Sequence, residues 1–409
     1  KYKSENYYLE KLEFYLTMAI KRQMLADVEI GFFLSGGLDS SIIVAIAKKL
    51  YPKKRFKCYT IRTKNIEGEG FVDDLFYAKK VAEYLDVDLT IVDADSEILK
   101  DFNKVIYHLD EPQADSAPIN VYNICSKAKS DGIKVLLGGT AGDDLFSGYR
   151  RHLALRFEKY IPLIPYFIRK KLVFLSSKLN NKRPFFRRLK KFLKNIDKSK
   201  IERMMNYFSW IDNDILNSLF LKKNYYNVYD YLLRCNNTLP KDISNLNRML
   251  FWELKTFLVN QNLNYTDKLS MATGVEVRVP FLDKELLDFS TKVPVELKLN
   301  GKTTKYILKK MAEKYLPKDV IYRSKTGFGA PVRSWVLNDM KFLIDDFLSE
   351  KVIKDRKIFN YEKINELIAK NKSGQEDLSY SILALLSVES WMRQFYDKKL
   401  INETNYTRP

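Results

Sequence analysis

Residues 32–41 read FFLSGGLDSS, a run of large apolar side chains that ends in two glycines, an aspartate and serines. The residues before it, 28–34, predict a short apolar strand. Those after it, 42–50, place Ile42, Val44, Ile46 and Leu50 among small residues and lysines and predict a helix. A strand that turns over Gly36 and Gly37 into a helix aims several unpaired backbone N–H groups at one spot, which suits an anion. The loop is not a Walker loop, because GxxxxGK[ST] occurs nowhere in the chain. It nonetheless has the same physical parts. Gly36 and Gly37 allow a tight turn and close approach to a phosphate, and Ser35, Ser40 and Ser41 add hydroxyl donors. Asp39 would repel a bare phosphate, but it fits beside a divalent cation, since Mg²⁺ takes carboxylate and phosphate oxygens together. The plainer alternative makes Asp39 a helix cap.

A second loop of the same kind lies further on, LLGGTAGDDLFSGY at residues 136–149. It too follows an apolar strand, predicted over 134–138, and it carries Asp143 and Asp144. Between the loops, strands are predicted at 56–62 and 88–92, and helices at 73–85, 96–108 and 119–129. Strands separated by helices of that length imply a parallel, doubly wound sheet, with ligands at the carboxyl ends of its strands. Two acidic loops at adjacent strand ends would share one or two Mg²⁺ ions, with Asp39 and Asp143 as ligands. The alternative is an ordinary connection with solvated acids.

Beyond the second loop the pattern turns helical, and basic over 152–239. Further helices are predicted at 243–268, 303–315 and 361–397. The expected units are an α/β core at 1–150, a basic helical insertion at 151–240, and a helical remainder at 241–400 that completes the site. The chain has 409 residues, 46% of them hydrophobic and 13% aromatic, which excludes a disordered chain. No apolar run spans a bilayer and no signal peptide is visible. Cys58, Cys125 and Cys235 lack CxxC spacing, which points to a reducing, cytoplasmic setting and away from zinc or iron–sulfur chemistry. With only His108 and His152, histidine-rich metal sites are excluded as well. Of the net charge of +19, residues 169–200 carry +12, from thirteen Lys or Arg against Asp197. In RPFFRRLKKFLKNI (183–196), Phe185, Phe186, Leu189, Phe192, Leu193 and Ile196 share one helical face, with Arg187, Arg188, Lys190, Lys191 and Lys194 beside it. That face packs on a core and leaves a solvated basic surface, or it docks on anionic lipid, an acidic partner or nucleic acid.

The loop SGGLDSS resembles the pyrophosphatase loop of the ATP-pyrophosphatase superfamily, whose fold is adenine-nucleotide alpha hydrolase-like. Three further stretches narrow the resemblance: LLGGTAGDDLFSGY, LNYTDKLSMATGVEVRVPFLDKELLDF (263–289) and YRSKTGFGAPVRSW (322–335). With DEP at 110–112, they resemble the synthetase domain of glutamine-dependent asparagine synthetases over about residues 8–393. The resemblance implies an ATP-dependent ligase that forms an acyl-adenylate on a small carboxylate and transfers nitrogen to it. Residues 33–41 (Phe33, Leu34, Ser35, Gly36, Gly37, Leu38, Asp39, Ser40, Ser41), with Ile61, Gly138 and Gly139, would hold ATP–Mg²⁺. Lys325 of KTGFG would reach the reacting phosphates, although a lone lysine is more often a surface one. Glu276 and Arg278 read as an internal ion pair. Asp110, Glu111 and Asp267 are substrate contacts or surface pairs.

The pattern also departs from the family. Gly138 stands where Ser or Thr is usual, and Ala141 and Ser147 replace glycines, a milder change. Thr140 replaces the acid thought to position or deprotonate the attacking nitrogen, and a hydroxyl is not a base near neutral pH. Asp144, on the same loop, is the candidate for that task. Lys325, Thr140 and Asp144 are therefore the positions to follow. The chain begins at Lys1, so the natural start is expected upstream, and the family's glutaminase domain is expected there or as a separate partner. A homodimer and a membrane-peripheral location are further expectations. Other readings are a ligase or cyclase for a different carboxylate and amine, a tRNA-modifying ATP pyrophosphatase, or a relative that keeps only the fold.

Overall fold

Short apolar runs bounded by turn residues become strands covered on both faces, as a parallel sheet requires. The computed structural model describes residues 3–63, 74–94, 101–177, 184–209, 211, 213–222, 229–324 and 331–398. In it β1 (Ile30–Phe33), β2 (Lys57–Thr63), β3 (Asp88–Ala94), β4 (Val135–Leu137) and β5 (Glu276–Arg278) form one all-parallel sheet in the order β3-β2-β1-β4-β5. The chain steps outward from β1 to β3 and then returns to lay β4 on the other side of β1, with Ile30 opposite Val135 and Phe32 opposite Leu137. The strand order therefore reverses between β1 and β4. An open α/β sheet leaves its ligand crevice at that point, beyond the carboxyl ends of the strands.

Alternation along the strands splits the core in two. Phe32, Cys58 and Leu137 pack with α1 (Glu5–Gln23) and α2 (Leu38–Leu50) on one face. Tyr59 and Leu136 pack on the other with α4 (Phe102–Leu109), α5 (Ala117–Ser130) and the helix Ser379–Trp391. α3 (Asp74–Leu85) joins the first of these cores through Val81 and Leu85. A third cluster, around Trp252, gathers Leu155, Met204, Met205 and Met249 from the helical middle of the chain. Among the described residues, no helix is long and apolar enough to cross a membrane.

Several expectations shift at their boundaries. Helix α2 begins at Leu38 rather than at 42, because extended Gly37 serves as its N-cap, so Ser40 and Ser41 sit inside the helix. The segment 303–315 is not one helix. Thr303–Thr304 pairs with Leu299–Asn300, Lys305 is left-handed at φ 52°, and a helix runs only over Tyr306–Ala312. The segment 243–268 is broken by wide helical turns at Leu258–Leu263. Between helices Tyr361–Lys372 and Ser379–Trp391, the Asn371 side chain accepts a bond from the Leu378 N–H at 2.8 Å and ends the first one. Of the helix expected over 96–108, α4 covers Phe102–Leu109, and residues 95–100 lie outside the described set. The fifth strand and α1 were not anticipated. Yet α1 carries a plain helical stripe, with Leu12, Leu16, Ala19 and Ile20 all buried. The basic helix covers Pro184–Leu193, and Phe186, Leu189, Phe192 and Leu193 are half-buried as expected. Phe185 is the exception, turned out to solvent and 67% exposed.

Candidate active site

The first loop continues from β1 with its backbone still paired, since the Leu34 N–H donates to the Tyr59 carbonyl at 2.8 Å. Serine hydroxyls then knit the turn. The Ser35 N–H donates to Ser40 Oγ at 3.2 Å, and Gly37 N–H to Ser35 Oγ at 3.3 Å. Gly36 sits at φ 68°, and a Cβ there would collide with the Ala78 backbone nitrogen. Its glycine is thus required by packing against α3 as well as by the turn. Asp39 does not cap the helix, because no side chain caps α2.

The second loop leaves β4 with Gly138 N–H bonded to the Arg278 carbonyl at 2.9 Å. It is pressed against the first loop. A Cβ on Gly139 would lie 2.7 Å from the Ser40 nitrogen, and one on Gly142 would lie 2.6 Å from the Asp39 carboxylate. Helix α6 (Gly142–Phe146) then presents Asp143 and Asp144. Ala141 before it and Ser147 after it are both left-handed, at φ 74° and 66°. Those are the two positions at which the resemblance expects glycine, and a side chain held in that conformation carries a backbone cost of about 1 kcal/mol at each.

The two loops meet at Lys305. Its ammonium contacts Asp39 Oδ2 and lies 2.6 Å from Asp143 Oδ1, and the three side chains are only 6%, 14% and 14% exposed. Burial alone would lower the Lys305 pKa, but the carboxylates of Asp143 and Asp39 outweigh it and the pKa rises. Two acids on adjacent strand ends thus converge on one point of positive charge.

A cavity of about 400 Å³ opens beside them. Of the residues singled out in the sequence, Phe33, Leu34, Ser35, Gly37, Leu38, Asp39, Ser40, Gly138, Gly139, Thr140, Asp143 and Asp144 line it. Gly36, Ser41 and Ile61 are not among its described lining residues. Ser41 is buried within α2, and Ile61 packs against the second core while its neighbours Tyr59 and Thr60 face the cavity. Lys325 lies outside the described residues. Glu111 and Asp267 line a separate open groove, with Glu111 accepting from Asn264, while Asp110 pairs with Lys268 at 2.6 Å. Glu276 and Arg278 do pair, at 2.7 Å, but not internally, since the Glu276 side chain is 54% exposed. The arginine also donates to the Gln23 and Leu25 carbonyls, tying the end of α1 to the sheet edge.

Other cavity residues were not singled out individually in the sequence. Besides Lys305, they include Arg323, which pairs with Asp74 at 2.8 Å and would sit 3.7 Å from a Cβ on Gly37. Lys309 also faces the cavity, with its pKa lowered by burial and by Lys305. Next to Asp143, Asp144 is 1% exposed and Tyr149 donates to its Oδ2 at 3.2 Å, while its Oδ1 has no hydrogen-bond partner. Burial, with Glu253 and Asp143 nearby, raises its pKa to about 7. Glu253 is itself held by Arg151 at 2.5 Å and His152 at 2.9 Å beneath the loop. The cavity therefore joins a cationic end at the first loop to a carboxylate poised to titrate near neutrality.

Known proteins share this sequence pattern. A sequence profile described as asparagine synthase matches residues 11–393. Asparagine synthetase [glutamine-hydrolyzing] 1 of Bacillus subtilis is 30% identical over 94% of this chain and 59% of its own length. A putative asparagine synthetase [glutamine-hydrolyzing] of Mycobacterium tuberculosis is 28% identical over 78% of this chain and 47% of its own. Amidase chyE of Penicillium rubens is 24% identical over 89% of this chain and 58% of its own. The chain thus spans roughly half to three-fifths of the length of these relatives. The chain belongs to the asparagine synthase family.

Proposed function

We propose that the chain is the synthetase part of an ATP-dependent ligase that activates a carboxylate as its adenylate and transfers nitrogen to it. The observation that carries this reading is the convergence of Asp39 and Asp143 from two glycine loops at the strand reversal. Among the described residues, no three His, Cys, Asp or Glu gather as a metal site. Mg²⁺ binds through one or two carboxylates together with substrate phosphates, which the converging pair Asp39 and Asp143 could supply. Asp39 and Asp143 would hold it, and when bound it neutralises phosphate charge as pyrophosphate departs. Lys305, Lys309 and Arg323 add fixed positive charge at the same end of the cavity, where an anionic carboxylate must approach an anionic nucleotide. Gly37 and Gly139 would let the two loops come close to the phosphates. Lys325 joins this set by family resemblance.

In the reaction, a substrate carboxylate oxygen displaces pyrophosphate from the α-phosphorus, and a neutral amine then displaces AMP and gives up a proton. Asp144 is the group we assign to receive that proton, because it faces the cavity and its pKa of about 7 suits a base near neutrality. Free aspartate and ammonia from a glutaminase domain are the substrates closest to the relatives' names. A different carboxylate and amine are the second reading, favoured by Thr140 standing where the family has an acid. Free Cys58, Cys125 and Cys235 fit a cytoplasmic setting.

The test is ATP–pyrophosphate exchange with a panel of carboxylates. Exchange should require one class of acid and should fall by about 100-fold or more in Asp39→Asn and Asp143→Asn, the scale of losing a principal electrostatic group. Full exchange in both variants would overturn the assignment.

A further inference from the structure

The helix Tyr166–Ser177 is built the wrong way round for a helix that merely covers a core. Its inner side is modest, with Leu172 and Val173 half-buried and Ser176 buried. At 100° per residue, Tyr166, Phe167, Lys170, Lys171, Phe174 and Leu175 share the opposite half of the helix, and all six are exposed. Phe167 is 72% and Phe174 62% exposed. The apolar surface continues through Leu163, 77% exposed, and Phe185 on the neighbouring helix. The helix carries Arg169, Lys170 and Lys171 and no acid. Arg169 and Lys170 lie 5.5 and 4.9 Å from the Tyr166 ring, so cations and aromatics interleave on one surface.

We propose that this face docks on the surface of a bilayer containing anionic lipid. Aromatic and leucine side chains between lysines match such an interface. The rings enter the headgroup and acyl boundary, the lysine stems lie along it, and the ammonium groups stay among the phosphates. A second copy of the chain fits less well, because a symmetric contact would bring Lys170 and Lys171 against their equivalents. Nucleic acid would use the cations and could stack bases on Phe167, but it leaves Leu163 and Leu175 with nothing apolar to meet. None of the described residues lining the catalytic cavity comes from 150–256. Docking would therefore hold the chain at a membrane without occupying the described lining of its cavity.

The experiment is co-sedimentation of the protein with phosphatidylcholine vesicles, with and without phosphatidylglycerol, at low and high salt. The parent should bind the anionic vesicles at least about 10-fold more tightly than the neutral ones, and lose that binding with salt. Phe167→Ser with Phe174→Ser, and separately Lys170→Glu with Lys171→Glu, should each weaken it about 10-fold. Pyrophosphate exchange should stay at the parent level in both. A tryptophan placed by Phe167→Trp should shift its emission to the blue on anionic vesicles. Equal binding to both vesicle types, or an introduced indole that stays in water, would overturn the proposal. So would a face occupied by nucleic acid (retention abolished by nuclease) or by a second copy (a dimer mass lost in the Phe167 and Phe174 variant).

Discussion

Replacing Lys305 with methionine keeps the length and bulk of the side chain and deletes the positive charge between Asp39 and Asp143. The ammonium is 6% exposed and the carboxylates 14% each, so solvent screens them little. Breaking a buried ion pair by removing one partner costs about 3–5 kcal/mol, chiefly because like charges then face each other out of water. The melting entropy is about 2.1 cal/mol/K for each of the 409 residues, so about 4 kcal/mol lowers the melting temperature by about 5 °C if the chain melts as one unit. Differential scanning calorimetry in EDTA reads that fall. Millimolar Mg²⁺ should restore part of it in Lys305→Met and little in the parent, since the two carboxylates then offer themselves to a divalent cation. A loss below about 1 kcal/mol, or no selective rescue by Mg²⁺, would refute the view that these acids depend on a shared cation.

The neighbouring residues yield three more expectations. Ser147→Gly relieves a left-handed non-glycine residue and removes a buried hydroxyl with no hydrogen-bond partner; it should stabilise the fold by about 1 kcal/mol in denaturant titration, net of glycine's entropy. Because the Asp144 pKa is raised from its ordinary 3.8 to about 7, the folded protein holds that proton more tightly than the unfolded chain does. Its contribution to stability is complete below about pH 4 and is lost, by about 4 kcal/mol, as pH climbs through 7. Amide formation should rise over the upper part of the same window as the carboxylate forms, and Asp144→Asn should flatten both profiles; an unchanged rate profile would remove Asp144 from proton transfer. With ammonia as donor, the ratio of amide to pyrophosphate should increase in Thr140→Glu, whereas a parent ratio near unity that glutamate does not improve would show that no acid is needed there.

The parts of this fold that were legible in the sequence are those fixed by local chemistry. Glycines beside aspartates after apolar runs marked both loops, because only such residues turn tightly and bring carboxylates close to phosphates. Parallel pairing followed from the spacing of strands and helices. Lys305 was not legible, because its place depends on a two-strand hairpin and a left-handed residue that together replace the first turn of what reads as a helix. Arg323 and β5 lie in quoted stretches, but their place at the site depends on tertiary packing from far along the chain. The basic segment was legible as charge, but not which of its aromatics would face outward. Phe185 belongs to the inner stripe by periodicity, yet it stands exposed at the helix start.

The central claim is that Asp39 and Asp143 together hold a divalent cation with the phosphates of ATP. Titration calorimetry of ATP into the protein, with Mg²⁺ and again with EDTA, tests it most directly. The parent should bind ATP about 100-fold more tightly with Mg²⁺, a difference of about 2.7 kcal/mol, and Asp39→Asn or Asp143→Asn should erase most of that difference while leaving the melting transition cooperative. Equal affinity with and without Mg²⁺ in the parent, or an undiminished Mg²⁺ effect in both asparagine variants, would contradict it.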